Sequence, residues 1–200
     1  MKTFGRVLTA MITSFNEDGS VNIENTVAIA EHLLNHGSDG LVVCGTTGEN
    51  PTISRESKIA LFKTIAETCG DKGTIIANVG SNDTKGSVDF VKEVSTIPGI
   101  DGLLVVVPYY NKPNQQGQYL HFKSIAEATT LPIMVYNVPG RVGTGIFPAT
   151  LARLHKEYPH ICAIKEASGN LMIASEIKRL MPGEDFMVYS GDDGLTLPIL

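Results

Sequence analysis

The sequence predicts an α/β protein with the (β/α)₈ TIM-barrel architecture, and three observations lead to this fold class. Short apolar, β-branched runs alternate with stretches whose apolar residues recur at helical spacing, as in parallel strands joined by helices. Each predicted strand runs into a polar or glycine-rich loop, the kind of segment that builds barrel active sites. The first strand–helix turn lacks the GxGxxG pattern, which disfavours an open dinucleotide-binding sheet.

Seven runs are predicted as strands because they are short, apolar and bounded by turn residues, as strands buried on both faces are. In chain order they are Val7–Ile12, Leu41–Val43, Thr74–Ala77, Leu103–Val107, Ile133–Tyr136, Cys162–Ile164 and Met187–Tyr189.

Helices are predicted between the strands. Ser54 is the expected N-cap of the second helix and Thr84 that of the third, which should stop at Pro98-Gly99. Their apolar residues, and those of the other helices, fall within Val27–Leu34, Ile59–Ala66, Val88–Val94, Tyr119–Ala126, Leu151–Leu154 and Ile173–Leu180.

The chain stops at Leu200, just into the seventh predicted helix. A closed barrel needs an eighth strand, and barrels of this kind typically run to about 250 residues. We therefore expect residues 1–200 to form one barrel domain that lacks its eighth strand and carboxy-terminal helices, as the front part of a longer protein.

The composition argues against several classes of protein. Hydrophobic residues make up 42% and charged residues 18%, as in ordinary globular domains, and the net charge of −5 disfavours a nucleic-acid-binding surface. Three scattered cysteines without CxxC spacing indicate neither a disulfide framework nor a metal site. No segment has the pattern of a signal peptide or a membrane span, so we expect a cytoplasmic protein.

The run Ile161–Gly169 places a lysine, Lys165, at the carboxyl end of a buried strand. Lysine is seldom buried without a partner. Desolvation would lower its pKa and leave a neutral amine able to attack a carbonyl carbon. The alternative is an ordinary strand-end lysine whose long side chain carries its ammonium into solvent.

Two further strand ends carry groups that suit a carboxylate-bearing substrate. In Gly45–Glu49 two threonines between two glycines expose backbone N–H groups that could bind a small anion. Tyr136 is placed on the fifth strand as Lys165 is on the sixth. Arg141 follows in a loop, with a donor fork suited to a carboxylate. Each could also be an ordinary turn or surface residue, but together they favour a site.

Two other loops belong to the same predicted face. Adjacent Tyr109 and Tyr110 should point in different directions, so one could face the site and the other a neighbouring subunit. The polar rim Tyr189–Asp193 contains Gly191, a candidate substrate-binding residue. Its aspartates could instead cap the next helix.

The motifs Gly45–Glu49, Tyr136–Pro139 and Ile164–Ala167 resemble those of a known family, the pyruvate-dependent class I aldolases typified by dihydrodipicolinate synthase and N-acetylneuraminate lyase. The resemblance covers nearly the whole chain. The run Pro108–Asn111 together with Arg141 is similar to the dihydrodipicolinate synthase branch. That branch condenses pyruvate with L-aspartate-4-semialdehyde to give 4-hydroxy-tetrahydrodipicolinate, in the diaminopimelate route to lysine.

Two alternatives remain beside that branch. One is a sugar-acid lyase of the same family, although a polyol substrate would need hydroxyl partners rather than a cation at Arg141. The other is a non-catalytic fragment of the barrel, suggested by the missing eighth strand.

The resemblance implies a role for each candidate residue. Lys165 would form the Schiff base with pyruvate, and Tyr136 would be the acid–base, linked through Thr46 to Tyr110 of a neighbouring subunit. Thr47, helped by the Thr46–Thr47 backbone, would hold the carboxylate of pyruvate. The carboxylate of the semialdehyde would bind Arg141.

The resemblance also implies that no metal or organic cofactor is needed, that the partners are small-molecule substrates, and that the protein is a homotetramer built as a dimer of dimers. Lysine-inhibited members carry a glutamate where this chain has Gly86 and a histidine where it has Lys58, although Asn82 and Tyr109 match. We therefore expect weak or absent feedback inhibition by lysine.

Overall fold

The computed structural model describes residues 4–183 and 185–200. All seven predicted strands are present, with ends that differ by one or two residues. They are β1 Leu8–Ala10, β2 Gly40–Val43, β3 Thr74–Asn78, β4 Gly102–Val106, β5 Ile133–Asn137, β6 Ile161–Glu166 and β7 Met187–Ser190. The first is the most shortened, because Val7 and Ile12 lie outside it with 54% and 52% of their surface exposed.

The described residues form eight α-helices. They are α1 Ile23–Asn35, α2 Arg55–Cys69, α3 Thr84–Val94, α4 Gln115–Ala126, α5 Pro139–Val142, α6 Pro148–Glu157, α7 Leu171–Leu180 and α8 Thr196–Ile199, of which α5 and α6 both lie between β5 and β6. Two short 3-10 turns, Asn50–Thr52 and Asp193–Leu195, lie within loops.

The strands form one parallel sheet in the order β1-β2-β3-β4-β5-β6-β7. Sequential order is the order of a (β/α)₈ barrel, whereas an open doubly wound sheet reverses direction at a switch point. Within residues 4–183 and 185–200 there is no eighth strand.

Contacts divide the chain into two compact units. The first comprises residues 1–78 and 93–104, and its core contains Leu41 and Ile75 of the sheet under Phe62 and Ile65 of α2. The second comprises residues 79–92 and 105–200. Its buried residues include Ile164 of β6 and others on β5, α4 and α6, namely Val135, Phe122, Ile125, Leu151 and Leu154. The expectation of one barrel domain over residues 1–200 stays a prediction.

One predicted helix cap is confirmed and one is wrong. The hydroxyl of Ser54 accepts a hydrogen bond from the Ser57 N–H at 3.1 Å, as expected of an N-cap. Thr84, in contrast, is already the first residue of α3. The carboxylate of Asp83 accepts from the backbone N–H groups of Lys85 and Gly86 instead. A carboxylate suits this end of the helix, because it also complements the positive end of the helix dipole.

The expected end of the third helix is also wrong in detail. Helix α3 ends at Val94, four residues before Pro98. Gly99, at φ +84, makes the turn into the following strand. Asp192 does act as a cap, because its carboxylate accepts from the Gly194 N–H at the start of the second 3-10 turn.

Helix α5 was not predicted, and it changes the position assigned to Arg141. The sequence indicated a loop there, but Arg141 lies within the short helix. Pro139 begins this helix and Gly143, at φ +78, ends it. Proline at the first position and glycine just past the last are favourable helix boundaries, and they were visible in the sequence.

A buried histidine joins α3 and α4. The Nδ1 atom of His121 lies 2.9 Å from the Thr84 hydroxyl oxygen, and the side chain is only 3% exposed. Its Nε2 has no hydrogen-bond partner among the described residues. Burial lowers the pKa of His121 to about 4, with Asp83 opposing the shift. The native protein therefore holds this imidazole neutral over a pH range in which an unfolded chain would protonate it.

We expect His121 to make the protein less stable as the pH falls from 6.5 to about 4. In this window the unfolded state binds the proton and the native state does not, so the free energy of unfolding decreases with falling pH by up to about 3 kcal/mol and then levels off. Thermal denaturation of wild type and His121→Gln between pH 4 and pH 8 measures the difference. The exposed His36→Gln variant is the control and should keep the wild-type dependence. Identical pH dependence in His121→Gln would contradict the assignment.

Candidate active site

Lys165 and Tyr136 lie side by side on neighbouring strands of the second unit. They are direct register partners in the parallel β5–β6 pair, so their side chains project from the same face of the sheet. The Lys165 Nζ atom lies 4.8 Å from the centroid of the Tyr136 ring. Tyr136 itself is buried. The strand ends thus bring an amine and a phenol together, as the sequence predicted.

The pKa of Lys165 is lowered from its ordinary value of 10.5. Desolvation is the largest cause, the Asp193 carboxylate opposes it, and the Arg141 guanidinium lowers the pKa further. Among residues 4–183 and 185–200 the ammonium has neither a hydrogen-bond acceptor nor an ion-pair partner. Of the two alternatives for this lysine, the structure favours the desolvated amine over a side chain extended into solvent.

Gly191 packs directly against the stem of Lys165. A Cβ atom added to this glycine would lie 2.9 Å from Lys165 Cγ, 3.1 Å from Lys165 Cε and 2.9 Å from Ala167 Cβ. Its N–H donates to the Glu166 carbonyl oxygen at 2.7 Å, which holds the loop after β7 against the end of β6. Any larger residue at this position would push the lysine side chain aside.

Arg141 is presented by α5, which starts two residues after β5 ends. Its guanidinium is exposed, and its effect on the pKa of Lys165 places it within electrostatic range of the amine. Arg141 therefore places a cationic group near Lys165, with no ion-pair partner among residues 4–183 and 185–200.

Tyr109 and Tyr110 differ in burial, in line with the expectation that they point in different directions. Tyr109 is half-buried, whereas 87% of the Tyr110 surface is exposed. Tyr110 also has a left-handed backbone, at φ +66, which costs a non-glycine residue about 1–2 kcal/mol. The loop is held by Asn111, whose Nδ2 donates to the Asn82 carbonyl oxygen at 3.1 Å. A strained, anchored loop thus presents an aromatic ring to solvent.

In the first unit, Thr46 and Thr47 follow β2 in a loop that is fixed on both sides. The carbonyl oxygen of Cys44 accepts from Asn78 Nδ2 at 2.8 Å, and that of Gly48 accepts from the Thr13 hydroxyl at 2.8 Å. Both threonines are exposed. The geometry suits a loop that presents hydroxyl groups, and the roles of Thr46 and Thr47 in substrate binding stay predictions.

Two buried polar side chains, to which no role was predicted, lie behind Lys165 and Tyr136. Asn137 and Glu166 are 0% and 1% exposed. The Asn137 Nδ2 atom donates to a Glu166 carboxylate oxygen at 2.8 Å. The available signal was a polar residue directly after Tyr136 and another directly after Lys165, in strands that are otherwise apolar.

The described residues offer neither a metal-binding cluster nor a membrane-spanning helix. Across the part of the chain that the structure describes, no cluster of three or more histidine, cysteine, aspartate or glutamate side chains is arranged to hold a metal ion. None of the helices in that part is both long and apolar enough to cross a membrane.

Comparison with known proteins gives close relatives over the whole chain. The 4-hydroxy-tetrahydrodipicolinate synthase of Desulforamulus reducens is 52% identical over 197 residues, which cover 98% of this chain and 66% of that protein. The synthase of Moorella thermoacetica is 51% identical with the same coverage. The chain thus spans about two thirds of the length of these relatives.

Solved structures give the same result. A dihydrodipicolinate synthase from Bacillus anthracis superposes with a TM-score of 0.95 at 44% identity, over 100% of this chain and 67% of that one. A dihydrodipicolinate synthase from Cyanidioschyzon merolae, solved with lysine bound, has a TM-score of 0.94 at 44% identity, over 98% and 66%. These neighbours confirm the predicted TIM-barrel fold class. Residues 3–200 also match the sequence pattern of the dihydrodipicolinate synthetase family. The chain therefore belongs to that family.

Proposed function

We propose that the protein condenses pyruvate with L-aspartate-4-semialdehyde, through a Schiff base on Lys165, to give 4-hydroxy-tetrahydrodipicolinate. The observation that carries the proposal is the desolvated amine of Lys165 beside Tyr136 in a member of this family. Relatives about 50% identical to the chain bear the name of this activity. The reaction would be the first committed step of the diaminopimelate route to lysine, carried out in the cytoplasm.

The chemistry follows from a lysine with a lowered pKa. A neutral Lys165 Nζ adds to the ketone carbon of pyruvate, and loss of water gives a protonated imine. The imine draws electrons from the neighbouring methyl group, which loses a proton to give an enamine. The enamine carbon then attacks the aldehyde. Because the imine is the electron sink, the reaction needs neither a metal nor an organic cofactor.

Tyr136 is proposed as the acid–base that gives and takes protons at the imine and at the new hydroxyl group. The centroid of its ring lies 4.8 Å from the Lys165 Nζ atom, which places the phenol in the same site as the amine on which the imine would form. Thr46 would pass the proton onward to Tyr110 of a second copy of the chain. Because 87% of the Tyr110 surface is exposed, this side chain is free to enter the site of a neighbouring subunit. The proposed assembly is a homotetramer, built as a dimer of dimers.

Two carboxylates must be bound in this reaction. Thr47 and the Thr46–Thr47 backbone are proposed for that of pyruvate, because the anchored loop offers N–H and hydroxyl donors to a small anion. Arg141 is proposed for that of the semialdehyde, because its guanidinium is exposed and within electrostatic range of Lys165. Gly191, against the lysine stem, would border the bound pyruvate.

The alternatives are less well supported. The relatives above are synthases rather than sugar-acid lyases. A non-catalytic fragment of the barrel would carry the same Lys165 and Tyr136, so no feature of this pair favours it over the synthase. The proposal therefore stays with the synthase.

Borohydride with pyruvate should trap a covalent adduct on Lys165, detected by mass spectrometry of peptides. The rate of trapping should rise with pH and level off below pH 10.5, the ordinary pKa of lysine. The reason is that a lysine with a lowered pKa is already neutral at a lower pH. Lys165→Arg should abolish trapping, since a guanidinium stays protonated. Lys112→Arg and Lys123→Arg are the controls and should trap normally. An adduct on Lys112 or Lys123 would refute the assignment.

Loss of Arg141 should impair the second substrate and spare the first. Each charge-assisted hydrogen bond is worth about 1.5–3 kcal/mol, so Arg141→Ala should lower kcat/KM for the semialdehyde about 10- to 100-fold or more. Pyruvate trapping on Lys165 should continue, because the imine forms before the aldehyde arrives. The exposed Arg179→Ala variant, on α7, is the control. An unchanged kcat/KM in Arg141→Ala, or ready cleavage of sialic acid by the wild type, would count against the synthase.

Free lysine should inhibit the protein weakly or not at all. A lysine ammonium needs an anionic partner once it is partly desolvated, and Gly86 provides none. The nearby Asp83 carboxylate already accepts hydrogen bonds from the Lys85 and Gly86 N–H groups. Steady-state assays and titration calorimetry test this, with the Cyanidioschyzon merolae protein as the positive control for binding. Submillimolar inhibition would mean that another carboxylate binds lysine.

A further inference from the structure

A series of hydrogen bonds lies behind Lys165 and Tyr136, on the opposite face of β5 and β6; we call it the hydrogen-bond chain. Asn137 and Glu166 are register partners, one residue beyond Tyr136 and Lys165, so their side chains project away from the reactive face. The Ile146 N–H donates to Asn137 Oδ1 at 3.1 Å, and Asn137 Nδ2 donates to Glu166 Oε2 at 2.8 Å. The Ser168 N–H donates to Glu166 Oε1 at 2.6 Å.

The direction of every bond in this chain is fixed by its two ends. Ile146 and Ser168 contribute backbone N–H groups, which can only donate. The Asn137 amide cannot flip, because its oxygen would then abandon the Ile146 N–H. Glu166 must consequently accept at both oxygens, and only a carboxylate does so. A glutamine would turn its NH₂ group toward another donor, whichever way its amide faced.

The same two residues also hold the backbone at the ends of three strands. The Asn137 carbonyl oxygen accepts from the Ala167 N–H at 2.8 Å, and the Glu166 carbonyl oxygen accepts from the Gly191 N–H at 2.7 Å. The chain therefore joins the ends of β5 and β6 to the loop that packs on the lysine stem. Through Ile146 it also reaches the segment that follows α5.

We propose that Asn137 and Glu166 are positioning residues that set the place of the Lys165 amine against Tyr136. They touch no substrate, because they lie behind the sheet. They act by fixing the backbone from which the two reactive side chains project. The inference rests on the proposed function, since it concerns the rate at which Lys165 forms its imine with pyruvate.

The donor-to-acceptor direction of the hydrogen bonds through Asn137 and Glu166 offers a direct test of this proposal. Glu166→Gln leaves two donors facing each other, and Asn137→Asp leaves two carboxylates facing each other. The double variant Asn137→Asp/Glu166→Gln repairs both faults: the aspartate accepts from Ile146 and from the glutamine NH₂, while the glutamine oxygen accepts from Ser168. The middle bond is reversed and every donor keeps an acceptor.

The readouts are the rate of pyruvate trapping on Lys165 and kcat, each per mole of folded protein at the native chain length. Displacing reacting groups by about 1 Å can cost about 100-fold, so each single variant should fall about 10- to 100-fold. The double variant should return to within a few-fold of the wild type. The trapping rate of Asn137→Asp, relative to that of the wild type, should also recover as the pH falls. A proton shared by the two carboxylates then restores the hydrogen bond between positions 137 and 166.

A stability control separates positioning from simple loss of structure. The hydroxyl of buried Thr26 accepts from the Ser14 N–H and donates to the Asn22 carbonyl oxygen. Thr26→Val should therefore lower Tm with no change in the trapping rate.

The outcomes are distinct. Failure of the wild type to trap pyruvate would overturn the proposed function. If the wild type traps, then wild-type rates in both single variants, or a double variant as slow as the slower single variant, would overturn the positioning role alone.

Discussion

Desolvation of the Lys165 ammonium is the constraint on which the second unit depends. A lysine with no hydrogen-bond acceptor among the described residues is costly to hold in a partly buried place. Burial lowers the pKa of Lys165, so its neutral amine is reached at a lower pH than that of an exposed lysine. The glycine at position 191 lets the loop after β7 pack on the lysine stem. The ring of Tyr136 lies beside the amine, with its centroid 4.8 Å from Nζ.

Parallel pairing determines which groups meet around that lysine. Tyr136 faces Lys165, and Asn137 faces Glu166, because β5 and β6 are in register over these residues. Side chains alternate across a strand, so the two pairs lie on opposite faces. If β6 shifted by one residue against β5, Lys165 would turn to the back of the sheet and the Glu166 carboxylate would lie beside Tyr136 instead. The hydrogen bonds behind the sheet and the proposed chemistry in front of it therefore depend on one register.

Much of the fold was predictable because apolar runs decide buried strands, and all seven were found. The placement of Lys165 and Tyr136 side by side, and of Gly191 against the lysine stem, was open to prediction because all three stand at strand ends, where parallel strands converge; their roles stay predictions. The errors have local causes. Thr84 was taken as a cap, although the carboxylate of Asp83 is the better acceptor at that helix end. The roles of Asn137 and Glu166 were missed because a hydrogen-bond chain that ends on Ile146 depends on a loop whose path the sequence pattern does not reveal.

The short helix that carries Arg141 has a thermodynamic consequence. Proline fixes the backbone at one end, and the left-handed glycine at position 143 closes the other. Ordering one residue's backbone costs about 1–2 kcal/mol. For Arg141 that entropy is lost when the protein folds, rather than when a ligand arrives. Only the rotatable bonds of the Arg141 side chain then remain to be ordered by a ligand that pairs with its guanidinium.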